Sequence, residues 1–166
     1  MKYLSNSGVG VLDDEPLREV GSSDVAIGLR ETIKPVTEHL NKVAANRLTL
    51  KLQTVGKRGD NWDRRGSAAA KLDAVSRAMS IADALVDQTA TTGYAWKDPV
   101  VGLDEHGDVS LEWWNLERKV TLYVAPNATE YLRSWGANID NEMELEVLEK
   151  GVFEALWLWL NQSRAV

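Results

Sequence analysis

Residues 99–135 read as four short segments in which apolar and polar side chains alternate, each separated from the next by turn-forming residues. A Trp-rich amphipathic stretch ending in Ala-Leu-Trp-Leu-Trp-Leu follows. Alternation with a period of two marks half-buried strands, and strands joined by tight turns pair antiparallel. Strands are expected over 100–103, 109–114, 118–124 and 130–135. Asp104 to Gly107 forms the first turn and Pro126-Asn127 a later one. Five of the seven tryptophans (Trp113, Trp114, Trp135, Trp157 and Trp159) lie in this last third, so the hydrophobic payload of the chain is concentrated there. The pattern predicts an α+β fold: an antiparallel β-meander of about four strands packed against amphipathic helices, with an N-terminal arm.

Adjacent residues on a strand point to opposite faces. In the second segment Val109, Leu111 and Trp113 share one face, and Ser110, Glu112 and Trp114 share the other. Trp113 is therefore assigned to the core and Trp114 to the second face, where an aromatic residue is a favoured anchor for a partner. Cover from the first third of the chain would account for Trp114 equally well. Glu112 and Arg118 lie across the predicted hairpin and are expected to pair.

Ahead of the sheet, residues 1–23 are poorly patterned and carry the acidic cluster Asp13, Asp14 and Glu15. This stretch is read as an arm, flexible or pinned against a partner, and 24–166 as a single domain. Val36, Leu40, Val43, Ala44 and Leu48 recur at helical spacing behind Pro35, which predicts a helix over 35–52 with proline in its first turn. Leu72, Val75, Met79, Ala82 and Val86 predict a second helix over 67–88, N-capped by Ser67. A third is expected over 148–161. Residues 141–149 fit strand and helix alike, because Met143, Leu145 and Val147 alternate with Glu142, Glu144 and Glu146 while Leu145 and Leu148 also continue the helical stripe.

The net charge of −6 hides an asymmetry. Residues 34–77 hold ten basic and four acidic side chains, a balance of +6, so the remainder carries −12. A chain polarised this way can present a basic surface to an anionic partner, although a solvated helix face produces the same composition. The sharpest basic element is the loop holding Lys57, Arg58, Trp62, Arg64 and Arg65, in which the indole could stack on a base.

Catalytic and metal chemistry find little support. No cysteine is present, which excludes disulfides and thiolate metal sites and fits a reducing, cytoplasmic setting. No apolar run approaches the roughly 20 residues that span a bilayer, and the N-terminus lacks the apolar core of a signal peptide. There are two histidines: His39 within the first helix, and His106 in a turn with Asp104, Glu105 and Asp108 that is polar because it is solvated. Gly56-Lys57-Arg58-Gly59 lacks the spacing of a phosphate loop. No catalytic residue, cofactor or metal ligand is assigned.

Two stretches carry a resemblance. Asn61-Trp62-Asp63-Arg64-Arg65-Gly66-Ser67, running into a helix, resembles the Asn-Trp-Asp-Gly-x-Gly-Ala opening of a widespread group of small uncharacterised bacterial proteins. Residues 104–124 resemble that group's following hairpin, with Leu111-Glu112-Trp113 as its Leu-Glu-Trp. Arg64 stands where the pattern has Gly, and Ser67 where it has Ala. The resemblance implies a compact α+β domain and no particular activity. Within the shared loop, Asn61 or Asp63 is expected to bond free backbone amides, Gly66 to allow a sharp turn, and Trp62 to dock on the sheet. The expected function is a non-enzymatic, protein-binding subunit of a bacterial or phage system, antitoxin- or immunity-like or an accessory of a defence complex. The alternative is a nucleic-acid-binding subunit of a ribonucleoprotein that uses residues 34–77.

Overall fold

The structure is a computed structural model that describes residues 22–162, with side chains from residue 36 onward. The chain divides into two units, Met1–Lys34 and Pro35–Val166, and the hydrophobic core lies in the second. Among the described residues, four helices and five strands follow in the order α1 (Ser22–Val55), α2 (Leu72–Ala90), β1 (Val100–Leu103), β2 (Val109–Asn115), β3 (Arg118–Val124), β4 (Thr129–Ser134), α3 (Ile139–Glu142), β5 (Met143–Val147) and α4 (Val152–Asn161). The strands form one antiparallel sheet in sequential order, a five-stranded meander.

The alternation read in the sequence becomes the two faces of this sheet. Val109, Leu111 and Trp113 of β2 stand opposite Val124, Leu122 and Val120 of β3, and all six are buried. α2 covers this inner face with Ala74, Val75, Ala78, Ala82 and Leu85, and α4 covers it with Phe153, Leu156, Trp157 and Leu160. Trp96 stacks on Trp157 with centroids 5.7 Å apart and meets Trp113 edge-on at 5.9 Å. The Trp113 indole N–H donates to the Lys97 carbonyl at 2.8 Å, so the polar end of a buried ring is satisfied.

Several expectations change. The meander has a fifth strand: after the single turn of α3, Met143–Val147 pairs with β4. This resolves the ambiguous stretch, and α4 starts only at Val152, behind Gly151. α1 runs from Ser22, so Pro35 lies within it rather than in its first turn, and the missing N–H removes one bond of the helical ladder. Ser22 and Ser23 of the expected arm are helical, while residues 1–21 lie outside the described residues. The stripe of α1 that enters the core is Ala44, Ala45, Leu48, Leu52 and Val55, whereas Val36, Leu40 and Val43 are exposed. Leu72, counted on the apolar stripe of α2, is exposed as well.

Ser67 does not cap α2, which begins at Leu72 behind Lys71. The Ala-rich stretch ahead of it is extended because tertiary hydrogen bonds outweigh alanine's helix propensity. The Ala68 amide donates to the Glu105 carbonyl at 3.0 Å and the Lys71 amide to the Gly107 carbonyl at 2.9 Å, while the Ala70 amide reaches the Arg58 carbonyl at 3.0 Å. Residues 68–71 thus form a strap between the Arg58 loop and the β1–β2 turn. The Lys71–Asp108 ion pair at 3.0 Å fastens its end.

Candidate functional site

The outer face of the sheet collects side chains that the core does not use. By register it carries Val100, Glu112, Trp114, Lys119, Thr121, Tyr123, Leu132, Met143, Leu145 and Val147. Trp114 is 46 % exposed, against 2 % for its neighbour Trp113, as the alternation requires. Lys119 lies 5.3 Å from the Trp114 ring centroid and pairs with Glu112 at 3.1 Å. The indole is therefore held against a cation whose charge is already matched, leaving the rest of its surface open.

The expected Glu112–Arg118 pair does not form. Glu112 faces outward, whereas Arg118 stands opposite Asn115 on the inner face, so Lys119 takes the carboxylate instead. The Arg118 guanidinium turns to the C-terminal end of α4, donating to the Trp159 carbonyl and, at 2.8 Å, to the Gln162 carbonyl. There it satisfies backbone acceptors that a helix end leaves unpaired. Beside it, Arg118, Arg133, Trp135 and Trp159 line a recess of about 290 Å³. Both guanidiniums lie within 6 Å of the Trp159 ring, and Arg133 is paired with Glu144, so this recess is a clamp joining α4 to the sheet.

The β2–β3 hairpin ends in the two-residue loop Leu116-Glu117, beside the strand end that carries Trp114. Leu116 is 96 % exposed and has φ +56°, a left-handed conformation that a bulky residue adopts only under strain. A tight hairpin turn favours Asn-Gly or Gly-x at this place. Sequence reasoning passed over Leu116; its signal was an apolar residue where a two-residue turn calls for glycine.

The residues of the basic segment are dispersed. Arg47 and Lys51 both pair with Asp98, at 3.1 and 3.4 Å, and Arg77 donates to the Thr129 hydroxyl at 3.2 Å. Lys57, Arg58, Arg64 and Arg65 do share the loop after α1, but Trp62 there is half-buried against the core with the Arg58 guanidinium 4.6 Å from its ring centroid. Asn61 and Asp63 bond backbone amides ahead of α2, those of Gly66 and Arg65 respectively within their own loop, each at 2.9 Å. Gly66 turns the chain with φ +92° and Arg64 has φ +63°. The Ser67 hydroxyl and then the Arg65 amide, both donating to Asp63, hold its carboxyl below the usual carboxylate range.

Asp13, Asp14 and Glu15 lie outside the described residues. In the β1–β2 turn, Asp104 accepts from the His106 and Asp108 amides while Asp108 holds Lys71, so these carboxylates shape the turn. Among the described residues no group of three or more His, Cys, Asp or Glu side chains is placed to hold a metal ion, and no helix is long and apolar enough to cross a membrane. Comparison with known protein families, with curated proteins and with solved structures finds no match.

Proposed function

We propose that this protein is a non-enzymatic interaction subunit, and that a protein partner docks on the outer sheet face where Trp114 and the tip of the β2–β3 hairpin meet. The observation that carries the reading is the apolar pair left open at one end of that hairpin, Trp114 on the face and Leu116 at the tip. Aromatic anchors of this kind supply most of the energy in protein interfaces. The strain at Leu116 is tolerated where a glycine would relieve it, which fits a side chain kept for contact rather than for folding. The wider setting we propose is a cytoplasmic bacterial or phage system with an antitoxin-like, immunity-like or defence-accessory role; the bacterial origin rests on the sequence resemblance, the compartment on the cysteine-free composition, and the role on the acidic cluster Asp13, Asp14 and Glu15 and the paired tryptophans.

The nucleic-acid alternative rests on the charge of residues 34–77. The internal pairing of Arg47, Lys51 and Lys71, and the Arg58 guanidinium over Trp62, weigh against it.

The test is to purify the tagged protein from its host, identify co-purifying chains, and titrate the purified partner against the wild type and Trp114→Ala. A hot-spot tryptophan contributes about 2 kcal/mol or more, so affinity should fall by at least about 30-fold while the melting curve stays in place. Unchanged affinity for a folded Trp114→Ala variant would refute this docking face.

A further inference from the structure

The open edge of the sheet at β5 has a more specific chemistry. The two ladder bonds flanking β5, Leu148 N–H to the Thr129 carbonyl at 2.8 Å and Trp135 N–H to the Glu142 carbonyl at 3.0 Å, fix which residues face β4. Hydrogen-bonded and non-hydrogen-bonded pairs alternate along an antiparallel ladder. In the observed register Glu142, Glu144, Glu146 and Leu148 turn their backbone groups toward β4. Met143, Leu145 and Val147 therefore present N–H and C=O groups outward, to the edge. Their side chains stand on the outer face, where Leu145 is 59 % and Val147 58 % exposed.

The other edge of the sheet is different. β1 runs beside α1, whose Lys51, Thr54 and Val55 line a groove with Pro99, Val100 and Val101, and the Lys51 ammonium donates to the Pro99 carbonyl at 3.4 Å. Among the described residues, no strand occupies the outward side of β5.

The inner-face side chains of β5 select what can pair there. Glu144 is matched by Arg133. Glu146 accepts the Tyr131 hydroxyl at 2.8 Å and has no cationic partner among the described residues. Burial, followed by the bond to Glu146, pushes the Tyr131 hydroxyl up to about 12, so the phenol facing Glu146 stays neutral and brings no charge to this part of the edge. A second copy of β5 laid antiparallel and centred on Leu145 would put Glu144 opposite Glu146 twice, a like-charge pairing that is destabilising.

We propose that β5 is a docking edge for an extended partner segment in which cationic and apolar residues alternate. The segment pairs its backbone with Met143, Leu145 and Val147, sets apolar side chains beside Leu145 and Val147 on the outer face, and places a lysine or arginine against Glu146 on the inner face. The edge lies across β3 and β4 from Trp114, so Trp114→Ala leaves it intact and either reading can fail alone.

The test uses the whole protein and a short capped peptide alternating lysine and valine, with a peptide alternating glutamate and valine as its counterpart. Amide hydrogen exchange should slow at Met143, Leu145 and Val147 with the lysine peptide and not with the glutamate peptide, and added salt should weaken binding. Leu145→Pro removes an outward N–H without touching the β4 ladder, so it should abolish binding while Leu145→Ala retains part of it. Glu146→Gln should weaken binding about threefold and reduce its salt dependence. Protection at other amides, equal affinity for the acidic peptide, full binding by a folded Leu145→Pro variant, or edge amides already protected by self-association would each overturn the proposal.

Discussion

Trp113 and Trp114 are sequence neighbours on β2, yet the first is sealed beneath α4 with its N–H on the Lys97 carbonyl and the second stands on the outer face beside Lys119. Their substitutions should separate cleanly. Trp113→Ala removes a core ring and a hydrogen bond, and should cost about 3 to 5 kcal/mol by chemical denaturation. Trp114→Ala should stay within about 1 kcal/mol of wild type. The reverse ranking would place the strand register one residue out.

Leu122 on β3 and Leu156 on α4 lie in the core on opposite sides of the sheet–helix interface. Truncating either to alanine should cost about 2 to 5 kcal/mol. Losses below about 1 kcal/mol at both sites would show that α4 is not seated on the sheet.

The legible part of the fold is the part where one pattern had one reading. Alternation over β2 and β3 separated Trp113 from Trp114 because one face is buried and a one-residue slip would expose Leu111 and Leu122. β5 was ambiguous because its apolar residues Met143, Leu145 and Val147 lie on the outer face while Glu144 and Glu146 lie on the face that bears the core, inverting the usual arrangement at an edge where Glu146 is exposed. The Ala68–Ala70 strap reads as helix because its extended form depends on acceptors at Arg58, Glu105 and Gly107, distant in sequence. Arg118 was paired with the wrong partner because the carbonyls it satisfies, on α4, are equally remote. Trp114 is legible in the sequence as a candidate contact, whereas Leu116 shows there only as an apolar residue in a tight turn, and the strain that marks it is a backbone angle.

Any binding of nucleic acid should depend on the loop after α1. Fluorescence anisotropy at low salt with single- and double-stranded DNA and RNA is expected to show no salt-sensitive binding, given how many basic side chains are paired internally. Salt-sensitive binding that disappears when Lys57, Arg58, Arg64 and Arg65 are changed together to serine would restore the ribonucleoprotein reading.

The strap and the loop before it respond to backbone substitutions of opposite sign. A methyl on Gly107, at φ +83°, would overlap the Ala69 carbonyl oxygen, so Gly107→Ala should cost more than about 2 kcal/mol and release the strap. Arg64, at φ +63°, occupies the place where the resembling pattern has glycine; Arg64→Gly should stabilise by up to about 1 kcal/mol, while Arg64→Ala keeps the strain. Denaturation midpoints for the three variants decide this, and an Arg64→Gly protein less stable than Arg64→Ala would rule the strain out.

Asp98 ties α1 to the connector before β1. Its carboxylate takes two bonds from Arg47, each at 3.1 Å, one from the Trp96 indole at 2.9 Å, and lies 3.4 Å from Lys51. Burial alone would raise its pKa, but the Arg47 and Trp96 bonds and the nearby positive charges outweigh it, and the group sits below the usual aspartate value. A folded-state pKa lower than the unfolded one favours the native state when the group is ionised. The contribution is therefore complete above the unfolded value of about 3.9 and is lost as pH falls through the lower folded value. Asp98→Asn keeps the shape and removes the charge, so near neutral pH it should be less stable by about 1 kcal/mol, a modest figure because Arg47 and Lys51 are partly solvated. On acidification the deficit should shrink, since the wild-type carboxyl becomes neutral too. Melting curves of both proteins across the acid range provide the comparison, and a deficit as large near pH 2 as near pH 7 would mean that packing rather than charge at Asp98 holds α1 to the sheet.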